Sequence, residues 1–505
     1  MPQPPDGVAP LARLSTGIPG LDLLLQGGLL RGGIYLLTGP PGSGKTILAN
    51  QLCFHRVAAG DRAIYLTMLS ETHTRLLAHL RSLAFFAEAP IGDTLVYFSG
   101  FRTLETEGVS GLTNLLRRAV RDHQATILVL DGLAVVETLA ESATAFQRFV
   151  YELRAFLDLV GCTALVLTGG PLIPPEAEAT VVDGVIALGS DQVGLRRLRT
   201  LEVVKFRGSG MLEGRHLYQI TAAGIVVHPR TEAMLGALQP ADTPAPVLLS
   251  SGIAALDAML VGGFRSGTST LLLGAPGTGK TVLGVHFLAA GVRAGEAGLY
   301  FGFYEPPARL LAKADRIGLD LSAAVARGQV TVLRQPPVER HLDVLAEELL
   351  AAVDRQRVRR LVLDGLTAFQ EAAAYPERLG PFLAALFNAL WARNVTTLAT
   401  AETQGLFSAE LDVPITTISA IVENIVFLRH VALHAQLHRL ISLLKMRESG
   451  YDAAVREFTI TTQGIEIGPT AASAEAILTA VARAGPTQAA AAGPGQRRRK
   501  RGRRG

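Results

Sequence analysis

The feature that most constrains this chain is an internal repeat. The segment STGIPGLDLLLQGGLLRGGIYLLTGPPGSGKT (15–46) is matched by SSGIAALDAMLVGGFRSGTSTLLLGAPGTGKT (250–281). Two further pairs keep nearly the same spacing, because LVLDGL recurs at 128–133 and 361–366, and KFR (205–207) corresponds to KMR (445–447). Landmarks 233 to 240 residues apart predict a duplicated domain, and 505 residues are too many for one ordinary hydrophobic core.

The segments between these landmarks predict the fold of each copy. Short apolar strands such as TALVLTGG (163–170) alternate with amphipathic helices, as in 146–160. This alternation predicts an α/β fold in which helices flank both faces of a mostly parallel sheet. We expect a flexible N-terminus (1–12), a first domain (13–238), a proline-rich linker (239–247), a second domain (248–470) and a disordered tail (471–505).

Composition excludes several classes of protein. No apolar run approaches the length of about 18–20 residues that a membrane-spanning helix needs, and MPQPPDGVAP is no secretory signal. Only Cys53 and Cys162 are present, which argues against a disulfide framework or a cysteine metal site. We therefore expect a cytoplasmic protein without membrane contact.

The charge is unevenly distributed. The formal net charge is +4, but the run RRRKRGRR (497–504) supplies seven positive charges, so the rest of the chain is mildly acidic. An acidic body disfavours a surface built to hold a nucleic-acid duplex. The basic tail has three interpretations that charge alone does not separate: solubility, contact with nucleic acid, or contact with an acidic partner.

Both repeats carry the pattern G-x-x-x-x-G-K-[ST] between an apolar strand and an apolar helix. Glycines there let backbone N–H groups point at phosphates, the lysine reaches the terminal phosphates, and the threonine binds Mg²⁺. A glycine-rich loop that only turns a strand into a helix is the alternative, and the duplication disfavours it. The predicted ATP-binding residues are Gly39, Pro40, Pro41, Gly42, Ser43, Gly44, Lys45 and Thr46, with Gly274, Ala275, Pro276, Gly277, Thr278, Gly279, Lys280 and Thr281.

Carboxylates at strand ends complete the predicted chemistry. Asp131 and Asp364 each end an apolar strand, where an aspartate joins Thr46 or Thr281 in holding Mg²⁺. Glu71 and Glu305 follow another strand, and a carboxylate there orients and deprotonates the attacking water or hydroxyl. The alternative is that these two glutamates only stabilise the first turn of a helix.

From Leu14 to Ile467 the chain resembles the two-domain KaiC proteins, which are RecA-superfamily ATPases. The resemblance rests on the doubled phosphate loop, the doubled LVLDGL, and the endings LEVVKFRGS (201–209) and LISLLKMRES (440–449). It implies tandem RecA-like P-loop NTPase domains that bind ATP and Mg²⁺. It also implies a homohexameric ring, and it assigns Ser82 to the neighbourhood of the first nucleotide.

In that family a lysine and an arginine on one strand reach across the subunit boundary to the neighbour's γ-phosphate. The resemblance assigns this role to Lys205 with Arg207 and to Lys445 with Arg447. Residues two apart on a strand face the same side, which agrees with this assignment. The alternative is a basic strand edge paired with surface acids.

The chain departs from the family pattern at the chemistry. The family shows two consecutive glutamates where this chain has Ser70–Glu71 and Tyr304–Glu305, and often serine where it has Gly132 and Gly365. By alignment Ser419 is the candidate phosphoacceptor, but Ala420 replaces the adjacent threonine, so the family's ordered two-site phosphorylation cycle cannot run here in that form. Thr416 and Thr417 are further candidates, and Glu402 lies where a polar group senses the phosphate.

Three functions remain to be weighed. The first is a slow ATPase with serine/threonine autokinase activity that acts in signal transduction with an unidentified protein partner. The second is a nucleotide-gated scaffold, because the missing glutamates weaken catalysis. The third, a RecA-like recombinase or helicase acting on DNA, is disfavoured by the acidic body.

Overall fold

The computed structural model describes residues 12–68, 73–169, 181–237, 245–403, 418–434, 436–447 and 450–484. The chain divides into two compact units after Ala237. Residues 1–11 of the flexible N-terminus predicted for 1–12 lie outside the described residues, as does most of the linker predicted for 239–247. No helix in the described part of the chain is both long and apolar enough to cross a membrane.

The first unit alternates strands with helices. Its described strands are β1 (Arg13–Leu14), β2 (Leu29–Leu30), β3 (Ile34–Thr38), β4 (Ala63–Thr67), β5 (Leu95–Ser99), β6 (Ile127–Asp131), β7 (Thr163–Thr168), β8 (Gly184–Val193), β9 (Arg196–Phe206), β10 (Arg215–Thr221) and β11 (Gly224–His228). Its described helices are α1 (Pro19–Leu24), α2 (Lys45–Ala58), α3 (His73–Leu80), α4 (Phe101–Asp122), α5 (Leu133–Leu139) and α6 (Ala143–Val160), with a 3₁₀ helix at Thr231–Ala237.

Nine of these strands form one sheet in the order β11-β10-β9-β8-β3-β7-β6-β4-β5. The six strands from β8 to β5 in this order are mutually parallel, and β9, β10 and β11 continue the sheet antiparallel. Strands β1 and β2 pair separately. In parallel sheets ligands bind beyond the carboxyl ends of the strands.

The second unit repeats this plan. Its strands are β12 (Leu248–Leu249), β13 (Phe264–Arg265), β14 (Ser269–Gly274), β15 (Gly298–Gly302), β16 (Val330–Arg334), β17 (Arg360–Asp364), β18 (Thr396–Glu402), β19 (Asn424–Leu433), β20 (Gln436–Met446), β21 (Arg456–Thr461) and β22 (Gly464–Ile467). Its helices are α7 (Ala254–Met259), α8 (Lys280–Arg293), α9 (Pro307–Arg316), α10 (Leu321–Ala326), α11 (Leu342–Gln356), α12 (Thr367–Ala372), α13 (Leu379–Ala392), α14 (Ile418–Ile421) and α15 (Ala472–Ala484), with a 3₁₀ helix at Pro376–Arg378.

The sheet of the second unit has the order β16-β15-β17-β18-β14-β19-β20-β21-β22, which matches the first sheet strand for strand. Both sheets are buried on both faces. In β3, Tyr35 and Leu37 enter one hydrophobic core while Ile34 and Leu36 enter the other. This two-sided burial explains why the parallel strands are continuously apolar, and it confirms the predicted α/β fold.

One prediction is wrong at the C-terminal end. The disordered tail was expected from 471, but α15 is an ordered helix over Ala472–Ala484. Ala474 and Ile477 lie on one face of α15 and pack against Leu440 of β20. An alanine-rich segment has high helix propensity and needs only a narrow apolar stripe to dock, which the composition argument overlooked. The arginine run at 497–504 lies outside the described residues.

Candidate functional site

The first phosphate loop joins the carboxyl end of β3 to the start of α2. Gly44 caps α2 with a φ of 92°, in the left-handed region that favours glycine, and an added Cβ would lie 3.0 Å from Ile220. Lys45 folds back over the loop, where its Nζ donates hydrogen bonds to the carbonyl oxygens of Gly39 at 2.6 Å and Pro40 at 3.1 Å. The loop therefore forms a cradle at the helix N-terminus, which is the arrangement that binds phosphate.

The second loop has the same geometry between β14 and α8. Gly279 has a φ of 106°, and Lys280 Nζ donates to the carbonyl oxygens of Gly274 at 2.8 Å and Ala275 at 2.9 Å. Burial lowers the pKa of both Lys45 and Lys280, although Asp131 and Glu402 respectively oppose this shift. Each ammonium is thus only partly compensated by protein groups, and an anionic phosphate would stabilise its charged form.

A hydroxyl–carboxylate pair stands beside each cradle. Thr46 Oγ1 lies 3.3 Å from Asp131 Oδ2, and Thr281 Oγ1 lies 2.9 Å from Asp364 Oδ2. Hydroxyl and carboxylate oxygens are hard ligands that suit Mg²⁺, which completes its shell with phosphate oxygens and water. The four predicted metal residues therefore meet as two pairs, and each pair fits the ion.

Two tyrosines that the sequence analysis did not single out orient these aspartates. Tyr65 and Tyr300 donate hydrogen bonds from their hydroxyls to Asp131 Oδ2 and Asp364 Oδ2. Burial, followed by the charge of the nearby aspartate, raises the pKa of both phenols far above its ordinary value, so they remain donors. The signal in the sequence was a tyrosine at the centre of each matched strand, AIYLT and GLYFG.

A cavity of about 400 Å³ opens beside the second cradle. It is lined by cradle residues, by Asp364, and by the predicted base Glu305. Glu305 is engaged by Lys313, whose Nζ lies 2.7 Å from one carboxylate oxygen and 3.0 Å from the other. The equivalent Glu71 and its neighbour Ser70 lie outside the described residues.

Local geometry accounts for two of the departures from the family pattern. Gly132 and Gly365 have φ values of 110° and 107°, and a Cβ at Gly132 would lie 3.0 Å from the side chain of Met68. These positions follow Asp131 and Asp364 and require the left-handed conformation.

Tyr304, which stands where the family has its first glutamate, hydrogen-bonds Glu371. Burial, together with this contact, raises the pKa of the Tyr304 phenol to about 12.

The lysine–arginine pairs lie near the amino ends of the parallel strands, whereas the cradle follows the carboxyl end of a strand. Lys205 pairs in register with Val185, at the amino end of β8, after a β-bulge, and Lys445 pairs with Ile425 of β19 after an equivalent bulge. Lys205 Nζ donates to the carbonyl oxygen of Val182 at 2.7 Å. Val185 in turn pairs with Leu36 of β3, which is three residues before Gly39. Lys205 therefore lies roughly 10 Å, measured along the strands, from the start of its own phosphate loop.

In the second unit, Lys445 and Arg447 likewise donate to backbone carbonyl groups near the amino end of a strand, β19. Lys445 Nζ donates to the carbonyl oxygens of Ser419 and Val422, and Arg447 donates to that of Ala420 at 3.0 Å. Burial, and then the neighbouring Arg207 or Arg447, lowers the pKa of Lys205 and Lys445. Lysine and arginine therefore lie side by side in both repeats.

The structure describes both predicted serines. Ser82 follows α3, and its hydroxyl donates to the carbonyl oxygen of His79 at 3.2 Å. Ser419 lies in α14, at the edge that carries Lys445 and Arg447. Thr416 and Thr417 lie outside the described residues.

A further group was missed because it depends on the order of the strands. Thr400 of β18 lies opposite Asp364 in the sheet and donates to its Oδ1 at 2.6 Å. The residue opposite Asp131 in the first unit is Leu167. No sequence motif contains Thr400, so pairing of β17 with β18 had to be known first.

Comparison with known proteins agrees with this geometry. The model of the family described as "ATPase: KaiC" matches residues 14–232 and 249–472. The circadian clock oscillator protein KaiC of Rippkaea orientalis is 27% identical over 468 residues, which cover 90% of this chain and 88% of that protein. The circadian clock protein KaiC3 of Synechocystis is 28% identical over 485 residues, covering 92% and 93%. Two complete cradles, each with its threonine–aspartate pair, fall inside the two matched regions, and the chain belongs to the KaiC family of ATPases.

Proposed function

We propose that this protein is a slow, Mg²⁺-dependent ATPase that works as a homohexameric ring, with ATP bound between neighbouring protomers. The observation that carries the proposal is the separation of cradle and lysine–arginine pair within each unit. Lys205 Nζ donates a hydrogen bond to the carbonyl oxygen of Val182, beyond the amino end of β8. In this position it does not reach a phosphate at the carboxyl end of β3. The same pair would meet the γ-phosphate held by the next protomer in a ring with head-to-tail interfaces.

The chemistry follows from these positions. Lys45 and Lys280 would hold the terminal phosphates, and Thr46 with Asp131 and Thr281 with Asp364 would hold Mg²⁺, which supplies charge neutralisation when it is bound. The neighbour's lysine and arginine would stabilise the charge that develops as water attacks the γ-phosphorus, an effect worth about 10³–10⁵ in rate. Glu71 and Glu305 remain the proposed water-orienting residues.

Slow turnover is expected because the second site lacks a fully free carboxylate at the expected place. Tyr304 occupies the position of the first family glutamate, and Glu305 is paired with Lys313. A positioned base contributes about 10²–10⁴ in rate, so its weakening reduces the rate without abolishing it. This engagement of Glu305 also favours the second candidate, a nucleotide-gated scaffold whose ring state is recognised by a protein partner.

We also propose that the protein phosphorylates itself. Ser419 is the proposed acceptor, because its carbonyl oxygen accepts a hydrogen bond from Lys445, the residue proposed to reach the neighbour's γ-phosphate. An acceptor at that edge would face the same nucleotide. The names of the relatives, which are circadian clock proteins, support a role in signal transduction with a protein partner that the chemistry does not identify.

Phosphate release from purified protein tests the enzyme. Wild type should release phosphate from Mg–ATP faster than the Lys45→Ala/Lys280→Ala variant, because the variant cannot hold the terminal phosphates. Equal rates would exclude the ATPase and leave the scaffold.

Native mass spectrometry with Mg–ATP tests the assembly and the acceptor. We expect a six-protomer species that dissociates when nucleotide is removed, and phosphate on Ser419. A protomer that stays monomeric at saturating ATP would contradict the ring, and an unmodified Ser419 would contradict the autokinase.

A further inference from the structure

Glu402 is a carboxylate at the second nucleotide site, which the sequence predicted only as a group that senses the phosphate. It is the last residue of β18 and pairs in register with Gly274, the first residue of the cradle. Its side chain is 55% exposed and lines the cavity beside Lys280, with Oε1 3.7 Å from Lys280 Nζ. The carboxylate therefore lies at the end of the site where the lysine would hold the terminal phosphate.

Among the described residues, the first site has no carboxylate at the corresponding position of the sheet. Thr38 of β3 pairs with Thr168 of β7, and the next residues are Gly39, which begins the first cradle, and Gly169. Gly169 thus takes the place of Glu402, and a glycine has no side chain to offer. The carboxylate distinguishes the two nucleotide sites of this chain.

The other carboxylates that line the second cavity are engaged. Asp364 accepts hydrogen bonds from Thr281, Tyr300 and Thr400, which is the arrangement of a metal ligand. Glu305 is held by Lys313 at 2.7 Å. Glu402 contacts Lys280 at a distance longer than an ordinary hydrogen bond, and a bound triphosphate would draw that ammonium toward itself.

We propose that Glu402 is the general base of the second nucleotide site. The inference rests on the proposed ATPase function. The Glu402 carboxylate accepts a proton from water while the water oxygen bonds to the γ-phosphorus. The bond from the γ-phosphorus to the oxygen that bridges it to the β-phosphate then breaks, and ADP leaves with that electron pair. The protonated Glu402 later returns its proton to solvent, which restores the carboxylate.

A competing role would be purely electrostatic. A carboxylate close to Lys280 could serve only as the counter-ion of the empty site, and its charge would then oppose the γ-phosphate. The two roles predict different kinetics. Removal of a base lowers kcat, whereas removal of a counter-ion tightens ATP binding and leaves kcat unchanged.

The experiment uses full-length protein in a Lys45→Ala background, so that only the second site turns over. Glu402→Gln is isosteric and lies at an exposed strand end, so the fold should be retained. Its kcat should fall about 10²-fold, with the Kd for ATP changed by less than about threefold. Glu402→Asp, which keeps the carboxylate, should retain more activity than Glu402→Gln.

Glu377→Gln is the matched control, because it removes one exposed carboxylate of the same unit that does not line the cavity. It should leave kcat unchanged. An unchanged kcat with tighter ATP binding in Glu402→Gln would overturn the inference in favour of the counter-ion. If the Lys45→Ala protein releases no more phosphate than Lys45→Ala/Lys280→Ala while wild type does, the second site does not turn over and this inference alone fails. If wild type is equally inactive, the proposed ATPase fails with it.

Discussion

The two nucleotide sites of this chain share their phosphate and metal groups but differ in the polar groups around them. Each has a cradle lysine, a threonine–aspartate pair and a tyrosine bonded to that aspartate. The second site adds Thr400 and Glu402, where the first has Leu167 and Gly169. The comparison teaches that duplication has kept the phosphate loop with its threonine–aspartate pair, whereas the polar side chains on the neighbouring strand have diverged.

A second difference lies beneath the sites, on helices α2 and α8. In the first unit Gln51 Oε1 accepts a hydrogen bond from the backbone N–H of Ile225 at 2.8 Å. In the second unit His286 Nε2 accepts the equivalent bond from Ile465 at 3.1 Å. The structural role is the same, but only the second acceptor is a titratable group.

The largest expected effect concerns what the two units share, the lysine–arginine pair. In a Lys280→Ala background, where only the first site acts, Lys205→Ala/Arg207→Ala should lower turnover by at least about 10³-fold. Mixing these subunits in equal amounts with Lys45→Ala/Lys280→Ala subunits should restore about one quarter of the first sites, because a ring interface joins a cradle to a neighbour's pair. The measurement is phosphate release before and after mixing.

The reciprocal mixture, with Lys445→Ala/Arg447→Ala and Lys280→Ala subunits in a Lys45→Ala background, should behave alike. Mixtures that stay as inactive as their components would show that the pair does not act on a neighbour. If phosphate release recovers for only one of the two sites, then only that site's lysine–arginine pair acts on a neighbouring subunit.

An intermediate effect is expected from Thr400, which only the second site has. Thr400→Val keeps the shape but removes the hydroxyl that donates to Asp364 Oδ1. Loss of such a partner costs about 10–100-fold in metal affinity, so the Mg²⁺ concentration for half-maximal turnover of the second site should rise by at least about tenfold. Leu167→Val is the control, and it should not change the Mg²⁺ dependence of the first site.

The smallest effect concerns stability at acid pH. Burial, and then Arg293, lowers the pKa of His286 to about 4, below its ordinary 6.5. The unfolded state takes up a proton first, so the second unit should lose stability as the pH falls from about 6.5 toward 4. At about pH 5 this loss should amount to about 1–2 kcal/mol, and His286→Gln, which copies Gln51, should remove it.

The fluorescence of Trp391 measures this effect, because it is the one tryptophan of the sequence and belongs to the second unit. Urea midpoints of wild type and His286→Gln should differ less at about pH 7.5 than at about pH 5. His434→Gln, at an exposed position, is the control. A wild-type midpoint independent of pH would contradict the neutral, buried histidine.

Much of the candidate nucleotide site was predictable from short patterns in the sequence. The cradles, Thr46 with Asp131, and Thr281 with Asp364 were identified because a phosphate loop needs glycines, a lysine and a threonine in a fixed order. The helix α15 was missed because its alanine-rich composition is typical of disorder as well as of a docked helix. Tyr65, Tyr300 and Thr400 were not identified, because their hydroxyls reach the aspartates from neighbouring strands.

The sequence by itself determined that the chain is duplicated, that each half is an α/β domain, and that each carries a phosphate loop with a strand-end aspartate. These features are local or periodic, so spacing along the chain reveals them. Only the tertiary structure decided which side chains share a site: Glu402 stands beside Lys280, Lys313 engages Glu305, and Lys205 lies at the far edge from Lys45. The physical reason is that a parallel sheet brings together strand ends that are distant in sequence, and the order of its strands is set by packing of the whole domain.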